Sequence, residues 1–200
     1  MFTGLVTASA RLQTLQKGSP AILILDWPGH EQLKIGDSVA VNGICLTITK
    51  ISGNSFSFNL LNETLRRSNL LDLSPGSWLN IELPLKAGDF LGGHLVSGHL
   101  DGTARLTAVR SAKGGRFCRF SYLESGWRRL VINKGSICIN GISLTVAACS
   151  GSSFEIEVIP HTWENSNLKY LKRGDRVNVE LDLMGKYLYN FFISGKNGSK

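Results

Sequence analysis

Two histidines, five residues apart, are the first side chains in the chain that suggest chemistry. His94 and His99 lie in the glycine-containing segment GGHLVSGH at residues 92–99. Imidazole titrates near neutral pH and glycine lets a ligand approach the backbone, so the two side chains could transfer protons or bind a polar ligand. A metal site would need a third ligand, and neither Asp89 nor Asp101 stands at a characteristic spacing. We therefore predict acid–base or hydrogen-bonding roles and no metal, with surface or structural histidines as the alternative.

A cysteine and a set of hydroxyl groups extend this candidate chemistry. Cys45 follows a turn and stands beside Thr47 in an apolar segment. A thiolate would be a nucleophile, although a buried structural thiol is the commoner case. Hydroxyls that could bind a polar heterocycle and its hydroxylated side chain are found in both halves of the chain: Ser38, Thr47 and Thr64, then Ser143, Thr145 and Thr162. Two copies of a fold need not keep the same threonines merely to pack, so their repetition favours binding.

The two halves of the chain are copies of each other. The segment VNGICLTITKISGNSF at 41–56 returns as INGISLTVAACSGSSF at 139–154, and residues 36–85 share 20 identities in 50 positions with residues 134–183. The openings match at an offset of 94 rather than 98, so that FTG at 2–4 faces VSG at 96–98. Units of this size can each hold a small core. We predict two similar domains, residues 1–90 and 91–183, followed by residues 184–200.

Positions at which the copies differ are the most informative ones. Cys45 is replaced by Ser143, and further differences pair Pro84 with Asp182, Glu63 with His161 and Gly36 with Lys134. One unit could therefore bind a ligand while the other also reacts with it.

The pattern within each unit is typical of antiparallel strands. Apolar residues alternate with polar ones or form short runs between turn signals, at residues 21–25, 38–41, 46–51, 56–60 and 78–83. About six short strands per unit, without helical crossovers, predict an all-β fold of two tandem Greek-key barrels. Short helical turns are expected at residues 62–69 and 160–167. Apolar residues from Met184 to Ile193 follow helical spacing, and this helix must either pack on its own chain or join chains together.

Composition is that of an ordinary globular protein, with 42% hydrophobic and 18% charged residues. The net charge of +7 comes from scattered basic pairs, which favours a solvated surface over a nucleic-acid partner. No apolar run reaches the roughly 18 to 20 residues of a membrane span, and no secretory signal pattern opens the chain. The four cysteines form no CxxC pair. We expect a cytoplasmic protein with reduced thiols and no membrane contact.

Ordered motifs along the chain resemble the riboflavin synthase family. They are MFTG at 1–4, NGICLT at 42–47, GGHLVSGHLDG at 92–102 and GISLT at 141–145, and the likeness runs to about residue 193. The resemblance implies two six-stranded barrels of the lumazine-binding type and a C-terminal helix that gathers three chains. It also implies a dismutation without cofactor or metal. Two molecules of 6,7-dimethyl-8-ribityllumazine would exchange a four-carbon unit to give riboflavin and 5-amino-6-(ribitylamino)uracil, between the first barrel of one chain and the second barrel of another.

The same resemblance implies roles for individual residues. Phe2, Cys45 and His99 would flank the reacting rings on the first-barrel side, and His94 and Asp182 would handle or orient protons. The expected substrate contacts come from both barrels: Thr3, Gly4, Ser38, Thr47, Thr64, Lys134, Asn140, Ser143, Thr145, Ile159 and Thr162.

Two positions depart from the family pattern. Asn140 stands where many members have Asp. If a carboxylate is needed there, Asp182 or a histidine must take its place; otherwise the position is only a turn and ring contact. Ile44 replaces a second cysteine found in some members, so a vicinal thiol is not required. The alternative function is a lumazine- or flavin-binding protein on the same barrels, with a nucleic-acid-binding barrel as a more distant third. The enzyme is favoured by the C-terminal helix and by six retained residues: Phe2, Cys45, His94, His99, Lys134 and Asp182.

Overall fold

The computed structural model describes residues 1–28 and 33–197 and contains two closed antiparallel barrels of six strands each. The strand order is β1-β2-β5-β4-β3-β6 in the first barrel and β7-β8-β11-β10-β9-β12 in the second, which confirms the predicted all-β duplicated fold. The first barrel comprises β1 Ala8–Gln16, β2 Ala21–Asp26, β3 Ser38–Val41, β4 Ile44–Ser52, β5 Ser55–Leu60 and β6 Trp78–Glu82. The second comprises β7 Gly102–Ala112, β8 Gly115–Tyr122, β9 Ser136–Ile139, β10 Ile142–Cys149, β11 Ser153–Val158 and β12 Arg176–Leu181.

Alternation along the strands decides which side chains fill each barrel. In β4, Ile44, Leu46 and Ile48 are buried in the core of the first barrel, whereas Cys45 and Thr47 lie on the opposite face. Burying one such aliphatic side chain stabilises the fold by about 1.5–3 kcal/mol. The strand β10 repeats the arrangement in the second barrel. The predicted polar positions therefore lie outside the barrel cores.

Short helices follow the fifth strand of each barrel, as the sequence predicts. They are α1 Asn62–Arg67 and α2 Pro160–Glu164, and a longer helix, α3 Leu183–Asn197, follows the last strand. Single 3₁₀ turns occupy Leu70–Asp72, Ser125–Arg129 and Asn167–Tyr170. The predicted helix after residue 183 is thus present.

Buried asparagines join the two barrels through equivalent hydrogen bonds that run in both directions. Asn80 Nδ2 donates to Asn140 O, and Asn178 Nδ2 donates to Asn42 O, both at 2.9 Å. The six asparagines of this contact are at most 5% exposed: Asn42, Asn69, Asn80, Asn140, Asn167 and Asn178. Because it is costly to bury an amide without hydrogen bonds, the bonds of this network fix how the barrels face each other.

The two segments that precede the barrels, residues 2–4 and 96–98, cross between them and are called the crossing segments below. Phe2 and Val96 pair as an isolated antiparallel bridge. Gly4 O then accepts a hydrogen bond from Ser143 N at 2.7 Å, in the second barrel. Gly98 O accepts one from Cys45 N at 2.9 Å, in the first barrel. Each crossing segment therefore contacts the barrel that it does not precede.

Candidate active site

A compact group of residues surrounds Ser143 on the second barrel. His94 Nδ1 lies 2.7 Å from Ser143 Oγ, and His94 N donates to Thr3 O at 3.1 Å. Glycines permit this approach, since a Cβ on Gly4 would lie 2.6 Å from Ser143 Cβ and one on Gly93 would lie 2.1 Å from Thr3 O. We call Thr3, Gly4, Gly93, His94 and Ser143 the Ser143 cradle. The structure brings together four predicted residues here, Thr3, Gly4, His94 and Ser143.

The environment of His94 keeps its imidazole neutral. Burial lowers the pKa of His94 below its ordinary value, and the negative charges of Asp182 and Glu180 oppose this less strongly. In the described part of the chain, the buried Nε2 has no hydrogen-bond partner. A neutral ring whose Nδ1 accepts from Ser143 Oγ–H can take up a proton through that bond.

Asp182 lies where the second barrel ends and α3 begins. Its Oδ1 accepts a hydrogen bond from Met184 N at 3.0 Å, so the carboxylate caps the first turn of the helix. The same charge acts on His94. Asp182 therefore links the Ser143 cradle to the C-terminal helix.

Cys45 occupies the matching place on the first barrel. A Cβ on Gly98 would lie 2.5 Å from Cys45 Cβ, which shows how closely the second crossing segment packs here. His99 follows directly, exposed, and its N–H donates to Ser97 Oγ at 3.1 Å. We call Ser97, Gly98, His99 and Cys45 the Cys45 cradle.

The two histidines thus belong to different barrels and do not form a pair. His94 contacts Ser143 in the second barrel, whereas His99 follows the segment bonded to Cys45 in the first. Phe2 lies between the cradles with 0% exposure, in a cluster against which Cys45 packs. The Phe2 ring therefore belongs to the buried cluster against which Cys45 packs, and in this chain the ring itself is not accessible to a ligand.

Hydroxyl groups extend each cradle along the outer barrel surface. Ser38 pairs with Thr47 across β3 and β4, and Thr145 occupies the place of Thr47 in β10. Lys134 is exposed and has a φ of 65°, in the left-handed region, where the first copy has Gly36. A side chain costs about 1–2 kcal/mol in that conformation, so lysine here is a strained choice of the kind that functional sites keep.

Three further predicted residues lie on or next to the short helices. Thr64 and Thr162 are half-buried at equivalent places in α1 and α2. Ile159 precedes α2 and is 57% exposed. Their substrate contacts stay predictions.

Asn140 is committed to the contact between the barrels. It is 0% exposed, its Oδ1 accepts from Asn178 N at 2.8 Å, and its Nδ2 donates to Asn167 Oδ1 at 3.3 Å. It also lines a cavity of about 660 Å³ at the junction of the barrels, next to Trp78 and Arg176. The side chain of Asn140 therefore serves a structural hydrogen bond, and a substrate contact through Asn140 stays a prediction.

Two buried glutamates were not identified from the sequence as part of the site. Glu82 is 4% exposed and Glu180 is 1% exposed, and each binds a crossing segment. The pKa of Glu82 is raised, because burial outweighs the hydrogen bonds from Thr3 and the neighbouring amides, which lower it. The signal was present in the repeat, because an acidic residue is kept at the same place in two strands whose neighbouring residues are mostly buried.

Comparison with known proteins places this geometry in a family. The model of the lumazine binding domain matches twice, at residues 3–84 and 97–182. Riboflavin synthase of Actinobacillus pleuropneumoniae is 38% identical over 195 residues, with 96% of this chain and 90% of that protein covered. Riboflavin synthase of Escherichia coli K12 is 41% identical over 185 residues, covering 91% and 87%. The chain belongs to the riboflavin synthase family.

Solved structures agree on the fold of this riboflavin synthase family member. LumP in complex with riboflavin superposes with a TM-score of 0.83 at 23% identity, covering 90% of this chain and 99% of that one. LumP in complex with 6,7-dimethyl-8-(1'-D-ribityl) lumazine gives a TM-score of 0.81 at 23% identity. The two domain matches include all twelve strands. Among the described residues, no helix is long and apolar enough to cross a membrane.

Proposed function

We propose that the chain is a riboflavin synthase. Two molecules of 6,7-dimethyl-8-ribityllumazine react, a four-carbon unit passes from one to the other, and riboflavin and 5-amino-6-(ribitylamino)uracil are released. The reaction uses no cofactor or metal. Curated riboflavin synthases match over nearly the whole chain, which supports this activity.

The observation that carries the proposal is the pair of equivalent but unequal cradles. Cys45 and Ser143 lie at the same place in the two barrels. The backbone N–H of each donates to a crossing segment that packs closely against it. Two identical substrates need two similar binding places, and a reaction that treats them differently needs different groups beside them. Holding both molecules in position can supply about 7–11 kcal/mol of the barrier.

Roles follow from the chemistry available in each cradle. One substrate must lose a proton from the acidic methyl group at C7. Ser143 and His94 can accept this proton, because Ser143 is hydrogen-bonded to the imidazole of His94, which is neutral at pH 7. In the other cradle, Cys45 and His99 stand beside the second ring as the nucleophile and proton carrier. Lys134 and the hydroxyls of Ser38, Thr47, Thr145, Thr64 and Thr162 hold ring edges and ribityl groups.

The working assembly is a homotrimer in the cytoplasm. The resemblance to riboflavin synthases implies that the reacting pair lies between the first barrel of one chain and the second barrel of another. Exposed apolar side chains on α3 offer a means of assembly, with Leu188 and Phe191 at 65% and 75% exposure. Four free cysteines are typical of a reducing compartment.

Incubation of the purified protein with 6,7-dimethyl-8-ribityllumazine alone tests the proposal. Riboflavin and the uracil product should appear in equal amounts, one of each for every two substrate molecules consumed. Substrate binding by fluorescence titration serves as the control for a folded site. Tight binding without riboflavin formation would replace the enzyme by a lumazine-binding protein.

A further inference from the structure

Glu82 and Glu180 bind the two crossing segments in the same way. Glu82 Oε1 accepts from Thr3 N at 2.6 Å and from Thr3 Oγ1 at 2.7 Å, and its Oε2 accepts from Gly4 N at 3.0 Å. Glu180 Oε1 accepts from the amide and hydroxyl of Ser97 at 2.7 and 2.6 Å. Its Oε2 accepts from Gly98 N at 2.8 Å. Three hydrogen bonds to one carboxylate are thus formed twice, independently, in one chain.

Each glutamate lies in one barrel, but the residues that it binds also contact the cradle of the other barrel. Glu82 ends β6 of the first barrel, and the carbonyl of the Gly4 that it binds accepts from Ser143 N in the second. Glu180 lies in β12 of the second barrel. The carbonyl of its Gly98 accepts from Cys45 N in the first. The connections therefore run crosswise.

Only a carboxylate can make this set of bonds. Both oxygens accept, whereas glutamine would offer one oxygen and one N–H₂ group. In either orientation the amide N–H₂ would face a backbone N–H. An amide in place of Glu82 or Glu180 therefore loses at least one bond and adds a donor facing a donor.

We propose that Glu82 and Glu180 are positioning residues, each acting on the cradle of the opposite barrel. Glu82 fixes Gly4 and Thr3, and through them Ser143 and His94. Glu180 fixes Ser97 and Gly98, and through them Cys45 and His99. The catalytic consequence rests on the proposed synthase function, whereas the positioning itself does not.

Amide hydrogen exchange without substrate tests the positioning. In Glu82→Gln we expect faster exchange at Ser143 N–H and an unchanged rate at Cys45 N–H. In Glu180→Gln we expect the reverse, together with faster alkylation of the Cys45 thiol. The control is Glu157→Gln, which removes a carboxylate from an exposed position in β11 and should change neither amide.

Turnover tests the catalytic consequence. We expect each glutamine variant to lower kcat by up to about 10²-fold with a smaller change in KM, because a shift of about 1 Å in a reacting group costs that much. Glu82→Gln should be non-additive with Ser143→Ala, since both act on one cradle. Glu180→Gln should be additive with Ser143→Ala.

Milder variants keep the test valid if a glutamine variant does not fold. Thr3→Val and Ser97→Ala each remove the hydroxyl that donates to the glutamate and leave the carboxylate in place. Each also removes the longer bond that the hydroxyl accepts, from Leu5 N or from His99 N. They should show the same crosswise effect on exchange at a smaller size. Equal effects on both cradles, or effects confined to the glutamate's own barrel, would overturn the proposal. If the wild-type protein forms no riboflavin while the variants show the crosswise exchange pattern, the proposed function alone would be overturned.

Discussion

Burial of His94 makes part of the stability of this protein depend on pH. The pKa of His94 is lowered by desolvation, so the unfolded chain binds a proton at a higher pH than the folded chain does. The contribution of the neutral imidazole to stability is complete above the ordinary pKa of 6.5 and is lost as the pH falls towards the lower folded value. Of the groups facing the ring, Asp182 and Glu180 carry charges that reduce the shift but do not reverse it, and Ser143 is hydrogen-bonded to Nδ1.

We therefore predict that His94→Gln weakens the decline in stability on the acid side. Urea unfolding at pH 7.5 and pH 5.5 should show a smaller difference in free energy for the variant than for the wild type. His161→Gln, at an exposed position in α2, is the matched control and should keep the wild-type difference. An identical pH dependence in His94→Gln and the wild type would show that His94 is not held neutral.

At this scale the sequence pointed to candidate site residues but not to their partners. Residue type and repetition were enough to single out His94, Cys45 and Ser143. The separation of the two histidines could not be seen, because it depends on the crossing segments contacting barrels distant in sequence. Glu82 was identical in both copies and still went unassigned, since its partners lie 78 and 79 residues away.

Two turns meet back to back where the barrels touch. Gly43 joins β3 to β4 with a φ of 78°, and Gly141 joins β9 to β10 with a φ of 80°. A Cβ on either glycine would lie 2.7 Å from the backbone nitrogen of the other. The NG motif therefore serves the contact between barrels as well as the hairpin.

Gly43→Ala should consequently destabilise the protein more than the left-handed φ alone explains. We expect a loss of about 2–5 kcal/mol in the free energy of unfolding, from backbone strain plus overpacking against Gly141. Gly53→Ala is the control, because Gly53 has a φ of 57° and its Cβ would meet nothing within 4 Å. That variant should lose only about 1–2 kcal/mol. Equal losses in chemical denaturation would mean that the two turns can separate at no cost.

Local periodicity predicted most of the strands and the short helices. The expected segment 21–25 became β2 Ala21–Asp26, and 56–60 became β5 Ser55–Leu60. Alternation reports burial within one strand, so it predicted the strands. It carries no information on what a turn contacts, and the joining of the barrels through asparagines and glycines was therefore not predicted.

At the scale of the whole molecule, α3 is attached at its start and exposes apolar side chains beyond. Lys186 Nζ bonds to Asp101 Oδ2 at 2.8 Å, and Tyr189 Oη accepts from Arg129 at 2.6 Å. The apolar residues between Met184 and Ile193 are 36% to 75% exposed: Met184, Tyr187, Leu188, Phe191, Phe192 and Ile193. A surface of this kind is expected to be covered by another chain.

We predict that Leu188→Glu/Phe191→Glu dissociates the proposed trimer without unfolding the barrels. Both side chains are largely exposed in the single chain, so the charges cost little there, but they would be desolvated between chains. Sedimentation velocity should show monomers that melt at nearly the wild-type temperature and form no riboflavin, because each reacting pair needs two chains. Asn190→Glu adds a charge to an exposed polar position of the same helix and should stay trimeric and active. A double variant that remains trimeric would show that another surface assembles the chains, and an active monomer would show that one chain can bring its own cradles together.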